Sequence, residues 1–317
     1  MKEERIAKGG IITLAFLIVV GVYMLAYHPP SLAKLAVAAP EIFAPHLVGT
    51  TTQPSLSAEA HFLAYVGVDG KETVLSASNE HLPLPIASVT KLMTSYVAFK
   101  IYKTTDDITL TRDVLTGKGR SGVYTAGTTL SFTDALHALL IPSHNDIADA
   151  LAFSSSGGTE TFIGRMNTYA HLLGLSETAY INPTGLDPNR LSDPVNHSSA
   201  YDTYRVLRDV KEQMPALFSI TSKQAYELFD IHNAHIASLV TTNEMLDETI
   251  GQFRVLGGKT GETPRAKQAL VIAASTPCGG ILYATVLRSD DRFADMRALL
   301  AYASEAFDWH CEKDAVR

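Results

Sequence analysis

Cysteine is nearly absent from this 317-residue chain, which has only Cys278 and Cys311. Two sulfurs are too few for a disulfide-dense scaffold or a cysteine-rich zinc site. They could pair if the domain is exported, or stand as two separate thiols. Basic charge is also short. The chain has 26 lysines and arginines against 33 acidic residues, a net charge of −7 and a pI near 5.9. That balance argues against a nucleic-acid binder, which usually carries a basic face. Internal repeats and low-complexity tracts are missing too. With 46% hydrophobic and 19% charged residues, the chain suits a globular protein with one large core or two modest ones and an extra apolar segment.

That segment is residues 9–27, GGIITLAFLIVVGVYMLAY, which lack charge altogether. Nineteen residues at roughly 1.5 Å per residue nearly span a bilayer core. Lys2, Arg5 and Lys8 precede it, so the N-terminus is expected to stay in the cytoplasm and the remainder outside. The rival is a cleaved signal peptide, with Ala36-Val37-Ala38 as a small-residue cleavage site. The long gap after Tyr27 and the length of the run favour an uncleaved signal anchor. Pro29, Pro30, Pro40, Pro45 and Pro54 then resist regular structure and read as a tether, parts of which could lie against the domain. The chain divides into a cytoplasmic tip and anchor at 1–28, a proline-rich linker at 29–58, a domain at 59–310 and a tail at 311–317.

Within the domain, HFLAYVGV and TVLSAS flank Asp69-Gly70, a β-hairpin signal. Residues 106–130 read as short strands and loops. Ser131 and Asp134 form a capping box before ALHALLI, and Pro142 ends that helix. Further helices are expected at DIADALAFS, at TETFIGRMNTYAHLLGL with Gly174 as its stop, and from Ser199 to Val210. Residues 224–240 read as a polar hairpin. RVLGGKTGETP, QALVIAAST and ILYATVLR read as strands, and Phe293–Phe307 as a final helix. Strands at both ends with helices between predict an α+β fold, with one antiparallel sheet built from both termini.

The stretch PLPIASVTKLMTSYVAFKIY (83–102) carries the first chemical signal. If Ser88 opens an apolar helix, Lys91 lies one turn on and on the same face. A serine needs a neighbouring base to become a nucleophile, and a buried lysine with a lowered pKa can be that base. Free N–H groups of the helix start point at the same spot. Alone, S-x-x-K is a weak pattern. Here it is followed, in order, by Ser143-His144-Asn145 between two helices and Lys259-Thr260-Gly261 on a strand, and the three together are far more specific.

With these motifs the chain resembles the low-molecular-weight penicillin-binding proteins, the serine D-alanyl-D-alanine carboxypeptidases, over roughly residues 60–307. IASVTKLMTSYV, LLIPSHNDIADALA, FIGRMN, NPTGLD, SSAYD and TTNEML add to the likeness. The resemblance implies a β-lactamase/transpeptidase-like fold with a mainly helical subdomain. It implies that Ser88 attacks the carbonyl between two D-alanines of a peptidoglycan stem peptide while Lys91 takes its proton. Ser143 would relay a proton to the departing D-alanine, and Asn145 would hold the substrate amide. Lys259 would bind the terminal carboxylate with help from Thr263, in a strand continued by Thr260, Gly261 and Glu262. The oxyanion would sit between the N–H groups of Ser88 and Glu262. β-Lactams would be covalent inhibitors, and no metal or cofactor is implied. Burial and the Lys259 charge would both lower the pKa of Lys91.

The chain departs from the family pattern in places. His144 replaces a glycine and could line the cleft or point away. Glu262 stands where a neutral or aromatic residue is usual, and could repel acidic peptides or face solvent. PRAKQ (264–268) replaces a small, glycine-containing segment. With little sequence after the last helix, the chain is expected to do without the C-terminal β-domain and amphipathic anchor of many relatives, which would fit anchoring at the N-terminus. Asp230, His232 and His235 suit a turn better than a metal site. An endopeptidase cutting D-alanyl cross-links would use the same motifs. A β-lactamase would need a deacylating glutamate that is not evident in NPTGLDPNRLSDP. A catalytically silent wall-binding protein would have no chemical reason to keep Ser88, Lys91, Asn145 and Lys259 together.

Overall fold

The computed structural model describes residues 43–49, 51–116 and 119–311. The expected membrane helix at 9–27 lies outside them, and among the described residues no helix is long and apolar enough to cross a membrane. The Asp69-Gly70 turn joins β1 (Ala60–Val66) to β2 (Glu72–Ser78), with Gly70 in the left-handed region that this turn needs. Six helices follow: α1 (Lys91–Ile101), α2 (Phe132–Leu140), α3 (Asn145–Ser154), α4 (Gly158–Leu172), α5 (Ala200–Gln213) and α6 (Pro215–Thr221). The chain closes with β3 (Thr249–Ile250), β4 (Phe253–Thr263), β5 (Lys267–Ser275), β6 (Ile281–Ser289) and α7 (Arg292–Ala306).

The strands form one antiparallel sheet in the order β3-β4-β5-β6-β1-β2. Its centre joins the early and late strands, with Tyr65 opposite Leu282 and Phe62 opposite Thr285. Both faces are covered, which is why these strands read as nearly continuous apolar runs. Phe62, Ala64, Val271, Ala273 and Tyr283 face the helical lobe. Leu63, Tyr65, Leu270, Ile272 and Leu282 pack under Met296, Leu299, Leu300 and Ala303 of α7. Side-chain caps fix where helices begin. Ser131 accepts from Asp134 N, Ser199 from Asp202 N, and Asp291 from Phe293 N and Ala294 N, each worth about 0.5–2 kcal/mol.

Two features go beyond the expected boundaries. The end of the proline-rich stretch docks on the domain. His46–Leu47 pairs with Phe307–Asp308, Phe43 packs edge-on against Tyr65, and the backbone and hydroxyl of Ser57 both donate to Asp295. Cys278 and Cys311 are bonded to each other, so they are not two separate thiols. The bond ties the β5–β6 turn to the segment after α7.

Candidate active site

Ser88 lies in a 3-10 turn, Ala87–Thr90, that leads into α1. Ala87 has φ +47°, a left-handed conformation that costs an alanine on the order of 1–2 kcal/mol. Two glycines leave room for the turn because neither has a side chain. A Cβ on Gly185 would sit 1.9 Å from Ala87 O, and one on Gly261 would sit 2.6 Å from Ile86 O and 3.1 Å from Ser88 N. Gly261 therefore leaves open the space in front of the Ser88 amide.

Lys91 is completely buried. Its Nζ is 2.8 Å from Ser88 Oγ, 2.7 Å from Asn145 Oδ1 and 2.7 Å from Thr184 O. A charged amine would donate to all three. A neutral amine keeps two N–H bonds, to Asn145 and Thr184, and turns its lone pair to the Ser88 hydroxyl. Burial first, and then the charge of Lys259, hold the Lys91 amine well below the usual lysine range, with Asp149 pulling the other way. The site thus favours the neutral amine, the form that can take a proton.

Lys259 stands opposite Val271 in the β4–β5 ladder, so it shares that residue's face and points toward the helical lobe. It is buried, with one hydrogen bond to Thr260 O at 3.0 Å. Burial, then Arg292, push its pKa down to about 7. β3 pairs only with Phe253 and Arg254, so beyond them this edge of β4 is open to the Ser88 turn.

The other expected residues each have an identifiable place. Asn145, the first residue of α3, has both ends of its amide engaged: Oδ1 accepts from Lys91, and Nδ2 donates to Gly119 O at 2.7 Å. Ser143 has φ +68°, and its buried hydroxyl has no partner among the described residues. It is bonded to neither Ser88 nor Lys91, and an orphaned buried hydroxyl calls for a functional account. Thr260 is tied to Thr242 at 2.6 Å. Thr263 Oγ1 donates to Asp187 Oδ1 at 3.0 Å. Glu262 turns outward and pairs with Arg292 at 3.0 Å. His144 turns to Tyr124, 2.8 Å from its hydroxyl, and burial lowers its pKa to about 4. Asp230 closes a turn by accepting from His232 N and Ala234 N, while His235 pairs with Glu227.

Three participants carried no signal that sequence reasoning used. Thr184 contributes only its carbonyl, and its turn is built by Asn182 Oδ1, which accepts from Thr184 N and Gly185 N. Asp187 accepts from both Thr263 Oγ1 and Arg265 N. Arg292 donates to Gly261 O at 3.1 Å and lowers the Lys259 pKa. The NPTGLD stretch flags the first two as neighbours of a special turn, though not their partners.

Comparison with known proteins places the chain in a family and a fold. The family described as D-alanyl-D-alanine carboxypeptidase matches residues 48–290. The chain is 30% identical to D-alanyl-D-alanine carboxypeptidase DacC of Escherichia coli, over 82% of this chain and 64% of that protein. It is 31% identical to a D-alanyl-D-alanine endopeptidase of Pseudomonas aeruginosa, over 63% of this chain and 62% of that protein. It spans roughly three fifths of the length of the first curated relatives it matches. Among solved structures, penicillin-binding protein D2 of Listeria monocytogenes in its ampicillin-bound form superposes with a TM-score of 0.67 at 25% identity, covering 80% of this chain and 99% of that one. The Streptomyces K15 DD-transpeptidase, at 24% identity and a TM-score of 0.70 over 80% of this chain and 99% of that one, shares the fold.

Proposed function

The chain belongs to the D-alanyl-D-alanine carboxypeptidase family, and from that premise we propose that it removes the terminal D-alanine from peptidoglycan stem peptides through an acyl-Ser88 intermediate. The observation that carries the reading is the buried Lys91 amine 2.8 Å from Ser88 Oγ. Lys91 takes the Ser88 proton as Oγ bonds to the carbonyl carbon. The oxyanion forms before the Ser88 N–H, in the space kept open by Gly261, with the Glu262 N–H as second donor. The C–N bond then breaks. The proton held on Lys91 passes to the departing amine, with the Ser143 hydroxyl, which has no partner among the described residues, as relay. Lys259 holds the carboxylate of the leaving D-alanine. Water, deprotonated by the same amine, attacks the acyl-Ser88 ester; the bond from the carbonyl carbon to Oγ breaks and the proton returns from Lys91 to Ser88 Oγ, freeing the enzyme.

Penicillin would acylate the same serine, because its strained amide and carboxylate present the same two groups to Ser88 and Lys259. A second reading, cleavage of D-alanyl cross-links, is favoured by the similarity to the P. aeruginosa endopeptidase. We also place the domain on the outer side of the membrane, held by residues 9–27. The uncharged run and its basic flank support this, and the Cys278–Cys311 bond fits an oxidising compartment.

The test is release of free D-alanine from an Nα-acylated peptide ending in D-Ala-D-Ala, beside a cross-linked muropeptide. Release from the linear peptide, abolished in Ser88→Ala, supports the proposal. Cleavage of the cross-link alone selects the second reading, and no product from either overturns both.

A further inference from the structure

Arg120 lies outside the three motifs, yet it reaches into the frame that holds the base. Its Nη1 is 2.7 Å from Asp149 Oδ2, its Nε donates to Thr116 O at 2.9 Å, and Asp146 Oδ1 lies 3.8 Å away. The next residue, Ser121, donates its N–H to Asp146 Oδ2 at 2.8 Å. The preceding one, Gly119, accepts from Asn145 Nδ2 through its carbonyl. Gly119 has φ +68°, and a Cβ there would sit 2.9 Å from that same nitrogen. Asp149 is four residues after Asn145 on α3, hence one turn along the same helix face. The guanidinium and both carboxylates are largely shielded from solvent, where an ion pair is less screened than at the surface.

We propose that Arg120 is a positioning residue whose ion pair with Asp149 clamps the 119–121 turn onto α3, fixing Asn145 against Lys91 and balancing the charge beside the base. The proposal rests on the acyl-serine reading above. The charged and titratable groups that act on Lys91 or on its neighbours are Lys259 from β4 with Arg292 behind it, Asp149 from α3, and His144 just before that helix, with Arg120 and Asp146 around Asp149. His144 is held neutral by burial. The pair that can be unbalanced in opposite directions is therefore Arg120 and Asp149, and Asp149 acts on Lys91 by its charge.

The experiment follows acylation of the full chain by a fluorescent penicillin as a function of pH. Acylation requires the neutral amine, so its acid limb reports Lys91. Asp149→Asn leaves a cation unbalanced and moves the limb to lower pH. Arg120→Gln leaves an anion unbalanced and moves it to higher pH. Each shift is expected to be roughly half a unit to one unit. Arg120→Lys restores the charge but cannot reach both Asp149 and the Thr116 carbonyl, and it returns the limb to the wild-type position while acylation at the plateau stays several-fold slow. Limbs that coincide, or that move the same way in both variants, overturn the proposal. If Arg120→Gln does not fold, Asp149→Asn decides alone: a downward shift supports the proposal, and none or an upward one overturns it. A wild-type chain that takes no label contradicts the acyl-serine reading and this inference with it. Labelled wild type with unmoved limbs contradicts the inference alone.

Discussion

Thr263 Oγ1 donates to Asp187 Oδ1 at 3.0 Å and accepts from Ala266 N at 3.2 Å. A hydroxyl has one proton to give, so a substrate carboxylate must displace Asp187 before it can be bound by Thr263. Lys259, whose one hydrogen bond among the described residues is to Thr260 O, is under no such constraint.

The two residues should therefore differ in mutational cost. Thr263→Val is expected to lower kcat/KM on D-Ala-D-Ala peptides by less than about fivefold. Lys259→Ala is expected to lower it roughly tenfold to over a hundredfold, since a charge-assisted hydrogen bond contributes about 1.5–3 kcal/mol. Esters without the terminal carboxylate should lose much less in Lys259→Ala. Steady-state kinetics on both substrate types measure this. Equal losses on the two in Lys259→Ala would mean that Lys259 also serves the proton path.

The lowered Lys259 pKa, about 7 against 10.5 for an ordinary lysine, has consequences for activity and stability. Carboxylate binding needs the ammonium form, so kcat/KM on peptide substrates should fall on a basic limb that begins near neutral pH. Arg292→Gln removes the neighbouring cation and should move that limb upward. For stability, the unfolded chain binds the proton between about 7 and 10.5 and the folded chain does not, so ∂ΔG/∂pH of unfolding is positive there. Denaturation midpoints should rise with pH across this window, and Lys259→Met should flatten the rise. A limb unmoved in Arg292→Gln contradicts the assignment.

Much of this frame was legible in the sequence because it depends on side chains in a pattern. Alternating and continuous apolar runs gave the hairpin and the three long strands, Ser131 and Ser199 marked helix starts, and the three motifs located Ser88, Lys91, Asn145 and Lys259. The missing parts depend on backbone or on distant pairing. The Thr184 carbonyl has no residue-type signature. The strained Ala87 turn fits because Gly185 and Gly261, from segments far along the chain, carry no side chain against it. The Asp187 contact with Thr263 joins residues 76 positions apart. The motif marks Asn145 as a site residue, but its contacts with Lys91 through the oxygen and with Gly119 through the nitrogen are set by tertiary placement. The short helix α6, opened by Pro215, has too few residues to show a period.

The disulfide offers a test of stability independent of the site. Cys278 and Cys311 are 33 residues apart, and closing a loop of that length constrains the unfolded chain by about 3–4 kcal/mol in the chain-entropy account. A Cys278→Ala/Cys311→Ala double variant should unfold at clearly lower denaturant, and the oxidised wild type should shift to match it on reduction. Superimposable curves would place the bond outside the cooperative unit.

The pairing of Ser88 with Lys91 is the centre of the account, and covalent labelling tests it most directly. The protein is incubated with penicillin, digested, and the adducted peptide located by mass spectrometry, with Ser88→Ala and Lys91→Ala alongside. The account predicts one adduct, on Ser88, absent in Ser88→Ala and abolished or slowed by several orders of magnitude in Lys91→Ala. An adduct on Ser143, or acylation of Ser88 at an undiminished rate without Lys91, would contradict it.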